Sequence, residues 1–170
     1  MIATNAIIRV PRAALVKPVL RTRHLYISPG HNFVGHHGGP PGTHPTIEVD
    51  QIECLAGRGI RGDRYLDYKE NKQITFFAWE VFERVRCELR LSQVTPADTR
   101  RNVITEGIDL NTLIGREFEV QGVRFAGVEE CRPCYWMNYA LKDSCAELAL
   151  KGHGGLRARI LTDGTLRREC

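Results

Sequence analysis

The segment of this sequence with the most chemical content is Cys131-Arg132-Pro133-Cys134. Two cysteines at this spacing can hold a structural zinc ion, cycle between dithiol and disulfide, or present one reactive thiolate. A structural zinc site needs two further ligands, usually a second closely spaced pair, and the other cysteines form no such pair. A thioredoxin-like redox pair needs a β-α-β setting, whereas hairpins are expected here. These alternatives stay open, as does burial of two inert thiols.

Cys134 is the stronger candidate of the two for chemistry. If Pro133 opens a helix, Cys134 lies in its first turn, where unpaired backbone N–H groups and the positive end of the helix dipole stabilise a thiolate. Arg132 adds positive charge nearby, although Glu129 and Glu130 oppose it. Such a thiolate can ligate a soft metal such as molybdenum or carry a sulfane sulfur. We therefore take Cys134 as the candidate catalytic residue and metal ligand.

Three segments, 57–64, 99–102 and 152–159, combine glycine or turn residues with arginine. Glycines let backbone N–H groups approach an anion closely, and a guanidinium matches phosphate oxygens two at a time. Neither a P-loop nor a Rossmann fingerprint is present, because Asp63 and Arg64 follow the glycines where a helix pattern is required. Taken singly, each segment is more typical of turns and solvent-facing strand surfaces than of an anion site.

A long glycine- and proline-rich stretch over 28–45 predicts a loop, and it carries His31, His36, His37 and His44. Loops of this length in a compact domain are commonly functional or disordered. The histidines could bind a metal or donate hydrogen bonds to a ligand, but no H-E-x-x-H spacing supports a preformed metal site. A polar surface loop is therefore the favoured interpretation, and the role of this loop is not predicted.

Strands dominate the elements that must position these residues. We expect short edge strands in 2–20, strands at 24–27, 46–55 and 102–105, and a hairpin of 117–120 with 123–128. Asp163-Gly164 predicts a second hairpin, joining 156–162 to 165–168. A capped helical turn is expected near Pro96.

Two helices are expected beside the strands. Apolar residues recur at helical spacing from 75 to 91, and a second helix is expected from Pro133 to a stop at Gly152. Cys87 and Cys145 fall at apolar positions of these helices, which favours burial in the core. The predicted fold is mainly β: a closed or partly open β-barrel with about two flanking α-helices, in a single domain over 1–170.

Composition narrows the function classes. The chain has 170 residues, 42% hydrophobic and 26% charged, as expected for one globular domain. The net charge of +4 is mild and the arginines are scattered, so no nucleic-acid partner is expected. No apolar run is long enough to cross a membrane, and the first ten residues lack a secretory signal pattern. We therefore expect a cytoplasmic protein whose six cysteines are mostly free thiols.

Six blocks together resemble the MOSC domain family, named for the C-terminal domain of molybdenum cofactor sulfurase. The resemblance covers about 24–168, includes the loop at 28–45, and implies a mainly β barrel of the small stand-alone type. It also implies a role with the molybdenum cofactor, a pterin that carries a phosphate. The blocks are AGRGIRGDRY at 56–65, QITFF at 73–77, RRNVIT at 100–105, GIDLNTLIG at 107–115, GVEECRPCYWM at 127–137 and GGLRARILTDG at 154–164.

The resemblance also assigns residues. Its hallmark cysteine corresponds to Cys134, which in the family ligates molybdenum or is thought to accept sulfur from a cysteine desulfurase. The family block at Arg100, Arg101 and Asn102 implies cofactor binding, and Arg64 and Arg157 are looser matches. Partners implied in this way are a cysteine desulfurase or a molybdoenzyme. Because the sequence shows no aminotransferase-like domain, pyridoxal phosphate, which belongs to the wider family, is not expected to bind.

The leading hypothesis is a molybdenum-cofactor-binding or sulfur-carrier domain in which the Cys134 thiolate ligates molybdenum or carries persulfide sulfur. An enzymatic role, if present, would be a sulfur transfer linked to the molybdenum cofactor. Two alternatives stay open. One is a non-catalytic interaction module that docks on molybdoenzymes, and the other is a zinc-stabilised β-barrel.

Overall fold

The computed structural model describes residues 14–68 and 71–169, and this part of the chain forms two β-sheets with three α-helices. The prediction of a mainly β fold is therefore confirmed. Both sheets are open within the described residues, where no strand pairing closes either of them, so the closed barrel is not found there. The strands are β1 (Arg21–Ile27), β2 (Ile47–Val49), β3 (Gln51–Leu55), β4 (Gly59–Ile60), β5 (Ile74–Ala78), β6 (Val103–Glu106), β7 (Glu117–Val120), β8 (Val123–Glu130), β9 (Leu156–Ile160) and β10 (Gly164–Arg167).

The larger sheet has the strand order β2-β1-β6-β5-β9-β8-β7, and the smaller one has the order β10-β3-β4. Within the larger sheet β5 and β6 run parallel, and the other neighbours run antiparallel. The predicted hairpin of β7 and β8 is confirmed. Its two-residue turn has positive φ at Gln121 (49°) and Gly122 (82°), as a type I′ turn requires.

The first predicted helix is wrong over its first residues, where the structure has strand β5. Residues 74–78 are extended and fully buried, and helix α1 occupies only Trp79–Glu88. A strand that is buried on both faces shows no alternation of polar and apolar residues, so its sequence continued the helical pattern of α1 without a break. The other helices are α2 (Trp136–Leu141) and α3 (Ala146–Ala149), and 3₁₀ turns lie at Pro96–Thr99 and Leu110–Leu113.

The second predicted hairpin is wrong, because β9 and β10 belong to different sheets. Strand β9 pairs with β5 and β8, whereas β10 pairs with β3. Neither Asp163 nor Gly164 is among the residues with positive φ, which a type I′ turn would need at both positions. The Asp163 carboxylate instead accepts a hydrogen bond from the Ala56 backbone N–H (2.7 Å). This bond connects the link between β9 and β10 to the end of β3.

Central strands of the larger sheet supply two hydrophobic cores. On β5, Phe76 packs in the core between the two sheets, while the neighbouring Phe77 packs in a second core under the helices. Val103 and Ile104 on β6 divide in the same way. Successive side chains of a strand point to opposite faces, so these strands join the two cores.

Three further predictions concern an edge strand, the N-terminal segment and a capped turn. The predicted strand at 46–55 is interrupted at Asp50 and divides into β2 and β3, which belong to different sheets. The expected strands in 2–20 lie largely outside the described residues, although Val16 forms an isolated bridge with Phe118. The capped turn after Thr95 is confirmed, with the reciprocal bonds of a capping box to Asp98. None of the helices in the described ranges is long and apolar enough to span a membrane.

Candidate functional site

The two cysteines of the central motif lie in an irregular segment between β8 and α2. Cys134 is exposed, whereas Cys131 is buried. The backbone N–H of Cys131 donates to the Gly155 carbonyl (2.7 Å), and the Cys134 carbonyl accepts from the Met137 N–H (2.7 Å). The segment is therefore fixed at both ends, with the Cys134 side chain open to solvent.

The predicted helix from 133 to 152 is two short helices, and this changes the setting of Cys134. Helix α2 begins at Trp136, so Cys134 lies two residues before it and not in its first turn. The six residues of α2 end at Leu141 and are followed by Lys142, which adopts a left-handed conformation (φ 55°), and α3 starts at Ala146. The expected stabilisation of the Cys134 thiolate by a helix dipole therefore has no support.

A guanidinium does lie beside a thiol here, but the thiol is that of Cys131. Arg157 on β9 lies near the Cys131 thiol and pairs with Glu129 through Nη1 (2.7 Å). Burial lowers the pKa of Arg157, but the charges and hydrogen bonds of Cys131 and Glu129 outweigh burial and raise it overall. Arg157 is thus placed to hold the buried end of the motif.

Arg100 anchors both ends of the long loop. Its side chain is buried, and Nη1 donates to the His44 carbonyl (3.0 Å) and the Thr46 hydroxyl (3.1 Å). Its Nη2 donates to the Ser28 hydroxyl (2.8 Å) and the Gly30 carbonyl (3.0 Å). Four neutral acceptors on two separated chain segments converge on this guanidinium, so Arg100 closes the base of the loop.

Beneath Arg100 lies a buried network that contains two more of the predicted residues. Arg64 pairs with Asp63 (3.2 Å) and donates to the Arg100 carbonyl (2.8 Å). The Asn102 amide donates to Asp63 (3.2 Å) and accepts from both the N–H and the hydroxyl of Thr75. One carboxylate thus faces two buried guanidiniums. Burial, followed by repulsion from Arg64, lowers the pKa of Arg100 to about 10.

Arg101 connects this region to the cysteine motif. Its guanidinium donates to the carbonyls of Thr99 (2.8 Å), Gly154 (3.1 Å) and Cys131 (3.4 Å). All three acceptors are backbone oxygens. Arg101 therefore positions the segment that carries Cys134.

The loop at 28–45 covers the start of α2. Phe33 stacks on Trp136, with ring centroids 5.1 Å apart and an interplanar angle of 20°. His37 Nδ1 hydrogen-bonds with the Tyr135 hydroxyl (2.8 Å), and Tyr139 adds a further ring against Trp136. Burial, and then the negative charge of Cys134, raise the pKa of Tyr135. This aromatic cluster was not among the predicted site residues, although Tyr135 and Trp136 directly follow Cys134.

Two cavities flank this segment. One of about 610 Å³ is lined on one side by the cysteine motif, through Arg132 and Pro133, and on the other by α2, α3 and Lys151. The other, of about 350 Å³, lies between the long loop and α2, and its lining includes Arg100, Phe33 and Tyr139. Arg132 and Lys151 were not among the predicted anion-binding residues, because single exposed cations in a sequence carry no signal of a shared recess.

The remaining cysteines and histidines do not assemble a metal site. In the described ranges no group of three or more His, Cys, Asp and Glu side chains is placed to hold a metal ion, so a zinc-stabilised barrel finds no support there. His36 bonds to the Pro40 carbonyl (3.1 Å). The prediction that Cys87 and Cys145 are buried is wrong, since both are exposed. Cys87 lies on the outer face of α1, and Cys145 is the residue that precedes α3.

The fold and the site define a β-rich domain in which the exposed Cys134 directly precedes an aromatic cluster at the start of α2. The family model of the MOSC domain matches residues 35–169, and the chain belongs to the MOSC domain family. No curated protein matches the sequence.

Solved structures share the fold at low sequence identity. The YuaD protein from Bacillus subtilis is 18% identical with a TM-score of 0.68, and the alignment covers 87% of this chain and 91% of that one. YiiM from Escherichia coli is 18% identical with a TM-score of 0.58 (84% and 65% covered), and YiiM from Geobacillus stearothermophilus is 13% identical with a TM-score of 0.62 (87% and 71% covered).

Proposed function

We propose that this protein is a molybdenum-cofactor-binding or sulfur-carrier domain that acts through the Cys134 thiolate. The observation that carries the proposal is the exposure of Cys134, in the segment that corresponds to the family's cysteine block and directly after Arg132 and Pro133, which line the larger cavity. A thiolate is a soft ligand that suits molybdenum, and an exposed one can also exchange sulfur. The family assignment supports a role linked to the molybdenum cofactor.

The residues present fit such a cofactor. Bound cofactor would supply a metal centre that accepts sulfur ligands, so a single protein thiol suffices and a preformed cluster of side chains is not needed. Arg132 and Lys151 line the larger cavity together with Glu130 and Glu147, and they are the cations placed there to meet a phosphate. Arg100 lines the smaller cavity beside Asp98, with both terminal nitrogens already bonded to the protein. Trp136 contributes an indole N–H that is buried and has no hydrogen-bond partner.

Of the arginines expected to bind cofactor, we assign three to positioning. Arg64, Arg101 and Arg157 bond to groups of the protein itself, and Asn102 fixes the buried network. Arg101 and Arg157 hold Cys131, three residues from the working thiol. They therefore serve the proposed function by fixing the segment and not by touching the phosphate.

In the sulfur-carrier form of the proposal, Cys134 exchanges with a donor persulfide. The thiolate attacks the terminal sulfur of the donor, a new S–S bond forms at Cys134, the donor's S–S bond breaks, and the donor leaves as a thiolate. A cysteine desulfurase is the proposed donor and a molybdoenzyme the proposed recipient. No pyridoxal phosphate is required on this chain.

Metal and sulfur content of the purified protein test the proposal. Protein made in a cofactor-producing host is expected to carry molybdenum and an oxidisable pterin, or a persulfide on Cys134 after incubation with a desulfurase and cysteine. Cys134→Ser should abolish loading with molybdenum and with persulfide and leave the circular dichroism spectrum unchanged. The matched control is Cys145→Ser, which removes another exposed thiol. Equal loading of the two variants would refute the role of Cys134.

A non-catalytic docking module is the second candidate function. Exposed apolar side chains near the motif favour it, namely Tyr139 (60% exposed) on α2 and Leu148 (73% exposed) on α3. The two candidate functions differ in whether they require the Cys134 thiol. If Cys134→Ser binds a molybdoenzyme as tightly as the unchanged protein and neither carries molybdenum nor persulfide, docking is the better account.

A further inference from the structure

The long loop places one of its histidines against the residue that directly follows Cys134. His37 Nδ1 hydrogen-bonds with the Tyr135 hydroxyl (2.8 Å), and the two residues lie 98 positions apart in the chain. Their ring centroids are 6.0 Å apart, and the Trp136 ring lies 6.0 Å from His37 and 4.7 Å from Tyr135. A hydrogen bond and ring contacts therefore hold His37 beside the cysteine segment.

Both members of this pair can be reached from solvent, as can Cys134. Tyr135 is 40% exposed, and His37 and Cys134 are exposed too. Burial, and then the negative charge of Cys134, raise the pKa of Tyr135, so the phenol lies close enough to the sulfur to interact with its charge. A phenol that keeps its proton is a hydrogen-bond donor at neutral pH. Tyr135 thus offers a donor close to an accessible thiol.

An imidazole partner lets the Tyr135 hydroxyl change the direction of its proton. A neutral histidine donates through one ring nitrogen and accepts through the other. When His37 Nδ1 accepts, the hydroxyl proton points at the imidazole. When Nδ1 carries the proton, it donates to the Tyr135 oxygen, and the hydroxyl proton can turn to an anion. Because His37 is exposed, water can carry a proton between its two nitrogens, so the pair can switch without losing its own bond.

A second donor in this cluster has no acceptor. Trp136 Nε1 is buried and has no hydrogen-bond partner in the part of the chain that the structure describes. Buried polar groups are rarely left unpaired, because each costs the free energy of its lost hydration. The cluster around Tyr135 therefore offers more donors than the described residues satisfy, as is expected where negative charge is to be stabilised.

We propose that the Tyr135 hydroxyl donates a hydrogen bond to the outer sulfur of a Cys134 persulfide, and that His37 is the positioning residue that directs this hydroxyl. The inner sulfur is bonded to Cβ and to the outer sulfur, so the negative charge lies on the outer one, about 2 Å farther out. A hydrogen bond to that charge favours the loaded form. Loading is the exchange described above, in which the donor's S–S bond breaks and the donor leaves as a thiolate. This inference rests on the sulfur-carrier form of the proposed function and gives the long loop a role in it.

Equilibrium loading with glutathione persulfide tests this role without a desulfurase. Peptide mass spectrometry reads the ratio of persulfide to free thiol at Cys134. Tyr135→Phe and His37→Leu should each lower the exchange equilibrium constant about tenfold, the effect of one hydrogen bond to a charged group. The double variant should lose no more than either single one, because both changes remove the same interaction. His37→Gln, whose amide can also donate to the hydroxyl, should restore most of the loading.

His36→Leu is the matched control, because His36 precedes His37 and bonds to the Pro40 carbonyl of its own loop (3.1 Å), and it should leave loading unchanged. The alkylation rate of Cys134 with iodoacetamide should stay the same in every variant, since the donor acts on the outer sulfur. Equal loading of Tyr135→Phe and the unchanged protein would overturn the inference, and so would a parallel fall in alkylation, which would mean that the variants hide the thiol. If the unchanged protein takes up no persulfide, the sulfur-carrier function itself fails, and the inference fails with it.

Discussion

Exposure divides the described cysteines into two chemical groups. Cys134 is open to solvent, while Cys54 on β3 is buried in the core between the sheets. Burial raises the pKa of the Cys54 thiol to about 12, because the apolar surroundings disfavour the thiolate. Position in the fold, and not spacing in the sequence, therefore decides which thiols are available.

Alkylation of the native protein should reproduce this division. At pH 8 the thiolate fraction of Cys54 is on the order of 10⁻⁴, and the side chain is also inaccessible, so iodoacetamide should leave it unmodified. Cys134 should be labelled within minutes, as read by peptide mass spectrometry. Denaturation in urea should remove the difference. Native labelling of Cys54 at the rate of Cys134 would contradict the buried position of Cys54.

His31 makes the stability of the protein depend on pH. Its ring lies 4.9 Å from both Tyr65 and Tyr68, and Nε2 is buried without a partner. Burial, followed by repulsion from Arg64, lowers the pKa of His31, with Arg100 adding to this and Asp63 opposing it.

The sign of the effect follows from proton linkage. The unfolded chain takes up the His31 proton near pH 6.5 and the folded protein only at lower pH, so stability is full above about 6.5 and falls as the pH drops toward the folded pKa. Urea unfolding between pH 7 and 5 should show this loss, and His31→Gln should flatten it. An unchanged slope in His31→Gln would assign the loss to other groups.

Among the helices and strands, the sequence predicted those features that are determined by residues close together in the chain. The β7–β8 hairpin was predicted because polar and apolar residues alternate on either side of Gln121-Gly122, where the structure has the turn. Asp163-Gly164 failed as a hairpin signal because the partner of β10 is β3, more than 100 residues earlier in the chain. Strand β5 was taken for a helix because burial on both faces removes the alternation on which strand prediction relies.

Gly154 lets β9 approach the cysteine motif closely, and this gives a prediction at the scale of elements. A Cβ at this position would lie 2.2 Å from the Cys131 carbonyl and 2.8 Å from Pro133 Cδ. Gly154→Ala should therefore displace the motif and destabilise the fold by about 2–4 kcal/mol. Urea midpoints and the alkylation rate of Cys134 measure the two effects. Gly39→Ala is the control, since the nearest atom to its Cβ would be 3.9 Å away; equal effects would contradict the close approach.

At the scale of the whole molecule, the candidate site is made by contacts that no local pattern encodes. Cys134, Arg100 and the long loop could each be selected from the sequence as candidates. Their arrangement in space could not be predicted, because it depends on long-range contacts. Arg100 bonds to residues 54 to 72 positions away, and Phe33 contacts Trp136 about 100 residues along the chain. Such long-range contacts follow from the order of strands in the sheet, which periodicity does not reveal.

The same strand order makes the two cores one cooperative unit, because β5 contributes Phe76 to the first core and Phe77 to the second. Phe76→Ala and Phe77→Ala should each cost about 3–5 kcal/mol. Both should lower the urea midpoint equally whether unfolding is followed by far-ultraviolet circular dichroism, which reports the sheets, or by tryptophan fluorescence, which reports the helical side. If the cores were independent, Phe76→Ala would shift the circular dichroism midpoint and leave the fluorescence midpoint in place. A single backbone strand cannot release one face while holding the other in register, so the two midpoints are expected to move together.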